Sequence, residues 1–317
     1  RSAAAVDIDF RTETLFKNIE VLEGSSMNDK LAGASGNETL IGGKGADSIY
    51  GGMGTDELYG GQGADSFWFG INDGADTIVG QGADSKSDAV VFYDLAFSSL
   101  SFARSTSGND VNIFINGTAD TLTMSEAGTA MDNTNFSSGF NRVNTFVTTD
   151  QTFGLTVGTA AANNLRGVSG KADYILGGAG ADSINGYTGT DAIYGEADDD
   201  TIVYNANSWI DGGSENDVVT AQYATAGVSI ELAGAANRIS NVEHLVGSAF
   251  ADKLGGSSAA ETLMGGAGTD SLWGNAGEDI LDGGAGADSY WFGVGDGADT
   301  IASSVYNSQD MVMFYGN

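Results

Sequence analysis

The sequence contains no proline, no cysteine and only one histidine. The absence of cysteine excludes disulfide bridges and thiolate metal sites. The single histidine, His244, cannot form a site that needs several histidines, and the HExxH motif is absent. The GxSxG motif of acyl transfer and the P-loop of nucleotide hydrolysis are absent as well. We therefore expect that the chain is not an enzyme.

Positive charge is also scarce. The 317 residues include 12 Lys and Arg against 43 Asp and Glu, which gives a formal net charge of -31. This charge repels nucleic acid and anionic membrane surfaces, so neither is expected as a partner. No stretch reaches the roughly 18 apolar residues of a membrane span, so no membrane insertion is expected. A compact fold must neutralise these acids, and cations are the obvious means.

What the sequence does contain is glycine, 49 residues of it, in a nine-residue repeat. From Gly24 the chain reads GSSMNDKLA, GASGNETLI, GGKGADSIY, GGMGTDELY and GGQGADSFW. A second array contains GGAGADSIN, GYTGTDAIY and GEADDDTIV, and a third runs from GSAFADKLG at Gly247 to GGAGADSYW. Each repeat has an acidic residue in sixth position and an apolar or aromatic residue in eighth position.

The spacing predicts a coiled stack of short strands. Six glycine-rich residues form a turn, and the next three form a strand whose middle side chain points inward. Stacked repeats then bury a continuous core that no single repeat can bury. Two repeats complete one turn of the coil, so acids 18 residues apart line one edge, about 4.8 Å from each other. Carboxylates this close repel unless a cation lies between them, and carboxylate and carbonyl oxygens suit calcium.

The candidate calcium ligands are the aspartates at sixth positions and at the equivalent positions after short slips in the register. Asp76 and Asp299 belong to the second group, where a turn role without calcium is the alternative. Glu38 and Glu261 replace aspartate, so we expect their half-sites to be weaker. The candidates are Asp29, Asp47, Asp56, Asp65, Asp76, Asp173, Asp182, Asp191, Asp200, Asp217, Asp252, Asp270, Asp279, Asp288 and Asp299.

The nonapeptides resemble the GGxGxDxUx pattern of the RTX family of calcium-binding repeat proteins. The matching positions include Gly42–Asp47, Gly177–Asp182 and Gly265–Asp270. The resemblance implies a parallel β-roll with several Ca2+ ions held between loops. It also implies type I secretion and folding outside the cell, at the cell surface, on meeting calcium.

The nonapeptides belong to a longer repeat, because residues 18–94 realign with residues 241–317 at a shift of 223. The expected fold is all-β, with parallel β-roll arrays and an intervening antiparallel β connector. Its predicted segments are a strand segment of a preceding unit (1–23), a β-roll (24–85), a β-rich connector (86–157), a β-roll (158–220), a β-strand linker (221–246), a β-roll (247–302) and the start of a further connector (303–317). Within the first connector, Asn116-Gly117 between two alternating runs predicts a hairpin.

The expected function is structural. The super-repeat and the missing catalytic motifs favour a surface-layer or extracellular matrix protein with calcium-dependent self-association. The alternatives are a repetitive adhesin stalk and the secretion or folding tail of a secreted enzyme. Cell-surface polysaccharide is a further possible partner, because Trp68, Tyr290 and Trp291 could stack on sugars, although their positions favour packing in the core. Glycosidase carboxylates are a poorer interpretation of the acids than calcium ligands.

Overall fold

A computed structural model describes residues 4–9, 19–79, 88–104, 110–125, 143–148, 151–158, 160–233, 238–302 and 309–316. Much of the predicted preceding segment and parts of both predicted connectors lie outside these residues. The chain divides into two compact units, Arg1–Leu155 and Thr156–Asn317.

The first unit is built almost entirely from short strands. Its one helical element among the described residues is a 3-10 turn, Phe97–Ser99. The strands are β1 (Asp7–Asp9), β2 (Val21–Glu23), β3 (Lys30–Ala32), β4 (Thr39–Lys44), β5 (Ser48–Tyr50), β6 (Glu57–Gln62), β7 (Ser66–Phe69), β8 (Ala75–Val79), β9 (Asp88–Phe92), β10 (Leu100–Arg104), β11 (Val111–Ile115), β12 (Thr121–Ser125), β13 (Val143–Val147) and β14 (Thr152–Val157), the last of which crosses the boundary between the units.

Successive strands of the first unit alternate between two parallel sheets. One contains β1, β3, β5, β7 and β9 in this order, and the other contains β2, β4, β6 and β8. Ile49 pairs with Phe67 in the first sheet, and Leu40 pairs with Leu58 in the second. All four side chains are buried, as the eighth position of the repeat predicts.

Strands from the predicted connector extend both sheets. β12 adds to β8 and β13 adds to β9, each in parallel. β11 and β12 form the predicted antiparallel hairpin around Asn116-Gly117, where Gly117 has a φ of 83°. β10 pairs antiparallel with β11, so the three strands continue the second sheet as a meander.

The second unit repeats this architecture over a longer stack. Its strands are β15 (Asn164–Arg166), β16 (Ala172–Gly178), β17 (Ser183–Asn185), β18 (Ala192–Glu196), β19 (Thr201–Val203), β20 (Trp209–Gly213), β21 (Val218–Thr220), β22 (Ser229–Glu231), β23 (Ile239–Ser240), β24 (His244–Val246), β25 (Lys253–Gly255), β26 (Thr262–Met264), β27 (Ala267–Gly268), β28 (Ser271–Trp273), β29 (Ile280–Asp282), β30 (Ala285–Gly286), β31 (Ser289–Phe292), β32 (Thr300–Ile301) and β33 (Met311–Phe314).

One parallel sheet runs through the whole second unit, in the order β15, β17, β19, β21, β24, β26, β29 and β32. Strands β16, β18, β20 and β23 face its first half, and β22, β25, β28, β31 and β33 face its second half. Residues 221–246, predicted as a linker, supply Ile230, Ile239 and Leu245 to the same buried core as the two arrays.

The predicted all-β fold of parallel β-roll coils with antiparallel connector strands is therefore confirmed. In the described ranges, no helix has the length and apolar character that crossing a membrane requires.

Candidate calcium-binding sites

The acids at the sixth positions form a hydrogen-bonded ladder along the edges of both units. The backbone N–H of each acid donates to a carboxylate oxygen of the acid one coil further on. Asp47 donates to Asp65 over 2.8 Å, and Asp252 donates to Asp270 over 2.8 Å. The same contact joins Asp29 to Asp47, Glu38 to Asp56, Asp56 to Asp76, Asp173 to Asp191, Asp182 to Asp200, Asp200 to Asp217, Glu261 to Asp279, Asp270 to Asp288 and Asp279 to Asp299.

The ladder uses one oxygen of each carboxylate and leaves the other inside the loop. Within the described residues, the Oδ2 atoms of eight of these aspartates are buried and have no hydrogen-bond partner: Asp47, Asp56, Asp76, Asp200, Asp217, Asp270, Asp279 and Asp288. A buried anionic oxygen without a partner is costly, and a cation is the group that removes this cost. These oxygens therefore fit a bound metal ion.

Carbonyl oxygens converge on the same place. A methyl group added at Gly42, the first residue of its loop, would lie 2.5 Å from Asp47 Oδ2 and 2.5 Å from the Gly60 carbonyl oxygen. At Gly265, the equivalent distances to Asp270 Oδ2 and the Gly283 carbonyl oxygen are both 2.6 Å. The first glycine is thus required for space, and it brings carboxylate and carbonyl oxygens together. Oxygen ligands of these two kinds suit calcium, which would neutralise the carboxylates when bound.

The electrostatics of the ladder point in the same direction. Burial raises the pKa of Asp47, Asp200 and Asp270 to about 6, although the ladder hydrogen bond opposes the rise. Burial, followed by repulsion from Asp56, raises the pKa of Asp76 to about 8. Burial also raises the pKa of Asp217 to about 7. The anionic form of these carboxylates is therefore less favourable here than it is in water.

Asp73 and Asp76 have different environments. Asp76 lies in the ladder, whereas Asp73 accepts hydrogen bonds from the Gly70 N–H (2.7 Å) and from the hydroxyls of Tyr50 (2.8 Å) and Tyr93 (2.7 Å). Asp73 is thus satisfied as a turn residue. In the second unit, Asp296 accepts from the Gly293 N–H and the Tyr315 hydroxyl, and Asp299 is a half-buried member of the ladder.

Four further candidates accept hydrogen bonds from additional donors. Asp191 Oδ2 accepts from the Ser208 hydroxyl (3.1 Å), and Asp173 Oδ2 accepts from the Val168 N–H (2.6 Å). Asp29 and Asp252 each accept from a serine in their own loop. The predicted ligands therefore occupy stacked positions but differ in how their second oxygen is satisfied.

Three acids of the ladder lie outside the nonapeptides and were not among the sequence candidates: Asp88, Asp310 and Glu243. They accept hydrogen bonds from the backbone N–H groups of Asp65, Asp288 and Asp217, respectively. Asp88 begins the strand DAVVF, and Asp310 directly precedes the strand MVMF. The two strands correspond in the super-repeat, where the shift has decreased from 223 to 222. An acid at the start of an apolar strand was the signal that could have identified them.

No cluster of three or more His, Cys, Asp or Glu side chains placed to hold a metal occurs in the part of the chain that the structure describes. The candidate sites consequently depend on one carboxylate per loop together with backbone oxygens. His244 is half-buried in β24, within the stack.

A family model describing the RTX calcium-binding nonapeptide repeat matches the chain in four copies, within residues 32–67, 168–202 and 255–290. The chain contains RTX calcium-binding nonapeptide repeats. The predicted family resemblance is thereby confirmed, and calcium is the ion that RTX nonapeptide repeats bind. A comparison with curated proteins finds no match to the chain. Two of the three matched stretches, 32–67 and 255–290, begin just after Asp29 and just after Asp252.

Proposed function

We propose that this RTX protein is a secreted, non-enzymatic structural component of the bacterial cell surface, in a surface layer or extracellular matrix, which folds and assembles on binding calcium. The observation that carries the proposal is the series of buried Oδ2 atoms without hydrogen-bond partners, repeated coil after coil. Because the carboxylate ladder runs through both stacks, calcium ions bound along it would be part of the structure from coil to coil. Such a design suits a scaffold, because each ion stabilises a neighbouring pair of coils.

Self-association is supported by the charge and by the super-repeat. The formal net charge of -31 keeps chains apart, and bound calcium neutralises part of it. The super-repeat presents the same surface more than once, which suits an extended array.

Electron microscopy and light scattering of the purified chain, with and without calcium, test this assembly. We expect sheets or filaments that form in calcium and disperse when a chelator removes it, because the carboxylates then regain their charge. Monomers at every calcium concentration would reject assembly by this chain.

The second candidate function is a repetitive adhesin stalk that binds a cell-surface polysaccharide. A cavity of about 500 Å³ in the first unit is lined by aromatic and polar side chains, including Tyr50, Trp68, Tyr93, Lys30 and Ser48. Trp68 is 38% exposed, whereas Tyr290 is buried. Hydrogen bonds to Asp73 hold the rings of Tyr50 and Tyr93 in place. Fixed aromatic faces beside hydroxyl and charged groups suit a sugar ring.

Tryptophan fluorescence during titration with cello-, malto- and chito-tetraose distinguishes this candidate. Binding that Trp68→Ala abolishes would favour the adhesin. Trp209→Ala is the control, because Trp209 is 49% exposed and does not line the cavity. A response to none of these sugars would remove the support that the cavity gives to the adhesin.

A further inference from the structure

The loops of the stack differ in their second residue, and the difference decides how the acid is satisfied. In the near-consensus loops the second residue is a glycine with positive φ, as at Gly43 (111°) and Gly266 (102°). Tyr187, Glu196 and Asn275 also adopt positive φ at this position, despite their side chains. Ser25, Ala34, Ser248 and Ser257 occupy the same position and do not have positive φ.

Where φ is not positive, the N–H of the second residue donates to the acid of its own loop. Ser25 N–H donates to Asp29 Oδ2 over 2.5 Å, and Ser248 N–H donates to Asp252 Oδ2 over 2.5 Å. In the same way, Ala34 N–H donates to Glu38 over 3.3 Å, and Ser257 N–H donates to Glu261 over 3.0 Å. The oxygen that is left without a partner in Asp47 or Asp270 is therefore used internally in these loops.

The serine hydroxyl adds a second donor and rebuilds the turn. Ser248 Oγ donates to Asp252 Oδ1 over 2.9 Å and accepts from the Phe250 N–H over 3.1 Å. Ser25 Oγ makes the same two contacts, to Asp29 over 3.0 Å and from Met27 N–H over 3.1 Å. Phe250 and Met27 stand where consensus loops have their fourth glycine, and neither has positive φ. The serine and the fourth-position substitution thus belong to one alternative loop structure.

These loops come in pairs that complete a coil. Asp29 and Glu38 belong to the first coil of the array at Gly24, and Asp252 and Glu261 belong to the first coil of the array at Gly247. In both coils, each acid accepts from its own second residue. Both coils also make the ladder hydrogen bond to the next coil, in which the backbone N–H of Asp29 donates to Asp47 and that of Asp252 donates to Asp270. Each of these two arrays therefore opens with a hydrogen-bonded coil, and the next coil contains a buried oxygen without a partner, that of Asp47 or Asp270.

We infer that the second loop residue determines whether a loop takes calcium, and that the first coil of each of these arrays is a calcium-independent template for the calcium-binding coils. The inference rests on the proposed function, since it assigns which loops of that calcium-binding stack hold the ion. Asp29 and Asp252 then act as hydrogen-bond acceptors, and calcium loading begins with the following coil.

Calcium stoichiometry of the full chain, measured by native mass spectrometry and equilibrium dialysis, tests the assignment. Asp252→Asn should leave the number of bound calcium ions unchanged, whereas Asp270→Asn should reduce it. The double substitution Ser248→Gly with Phe250→Gly converts GSAFAD into GGAGAD, the sequence that already occurs at Gly177–Asp182 and Gly283–Asp288. We expect this variant to bind one more ion per chain and to need a higher calcium concentration for half-maximal folding, because the template is lost.

Ser214→Gly is the matched control, because it makes the same chemical change at the third position of the loop at Gly212. It should alter neither stoichiometry nor midpoint. Circular dichroism at saturating calcium shows that each variant is folded before ions are counted. Equal ion loss in Asp252→Asn and Asp270→Asn, or an unchanged count in the double variant, would overturn the inference. Failure of the unaltered chain to bind calcium would instead overturn the proposed function.

Discussion

Removal of calcium at neutral pH should unfold the protein, and the structure gives the expected size of the effect. In the second unit, five Oδ2 atoms are buried without a hydrogen-bond partner within the described residues: those of Asp200, Asp217, Asp270, Asp279 and Asp288. Each unsatisfied buried group costs about 1–3 kcal/mol, and an anion costs more. Together they cost on the order of 5–15 kcal/mol, which matches the whole stability of a typical domain, about 5–15 kcal/mol.

Circular dichroism and amide hydrogen exchange of the full chain measure this effect. In a chelator at neutral pH we expect the circular dichroism spectrum of an unfolded chain and fast amide exchange. Calcium titration should restore the β signal cooperatively. Magnesium should restore it poorly, because it requires a tighter octahedral geometry and loses water reluctantly. A β-rich, exchange-protected chain in chelator would refute the reasoning, since the carboxylates would then be tolerated without an ion.

Three further predictions follow from individual residues. In calcium-depleted buffer, β structure should increase as the pH is lowered from about 8 to about 4. The folded-state pKa values of about 6 to about 8 lie above the unfolded values, so stability is present at low pH and is lost as the pH rises. Circular dichroism that does not change with pH would contradict this. Asp270→Ala should raise the calcium midpoint of folding several-fold more than Glu261→Ala, since only Asp270 has an oxygen without a hydrogen-bond partner, and equal shifts would contradict the assignment. Gly286→Ala should lower the melting temperature in calcium strongly, because the φ of Gly286 is 147° and the added carbon would lie 1.4 Å from the Gly268 carbonyl oxygen. Gly170→Ala is the control: the added carbon has nothing within 4 Å and should cost only about 1 kcal/mol of backbone strain. Similar melting temperatures for the two variants would contradict the packing of the loops.

The nine-residue period was sufficient to predict the architecture. A strand of three residues has only one inward side chain, so the eighth positions identify the core, and Leu40, Ile49 and Leu58 are fully buried as expected. The 18-residue spacing likewise predicted which acids stack, because two strands per coil leave no other register. Both results follow from local geometry that repeats without interruption.

The period could not predict features that depend on backbone conformation or on the irregular segments. Asp29 and Asp47 hold the same position of the repeat, and their loops differ in the second residue, Ser25 against Gly43. That the N–H of this residue satisfies Asp29 but not Asp47 depends on its φ, which the sequence does not give. Asp88, Asp310 and Glu243 complete the ladder across gaps of 23, 22 and 26 residues, which no fixed spacing indicates. The ladder contact is the same across these longer intervals, so the pattern breaks in the sequence although the ladder continues in the structure.

The uniform step of the ladder has a consequence for how the gene can change. Each coil contacts mainly the coils before and after it, so in-frame duplication or deletion of one 18-residue coil rejoins the ladder with the same register, as between Asp47 and Asp65. A change of nine residues would instead exchange the two faces of the stack. Any other length would have to be absorbed in a loop, as the 20-residue step from Asp56 to Asp76 is. Recombination between similar coils can therefore lengthen or shorten the protein without redesigning its core, and natural variants are expected to differ by whole coils.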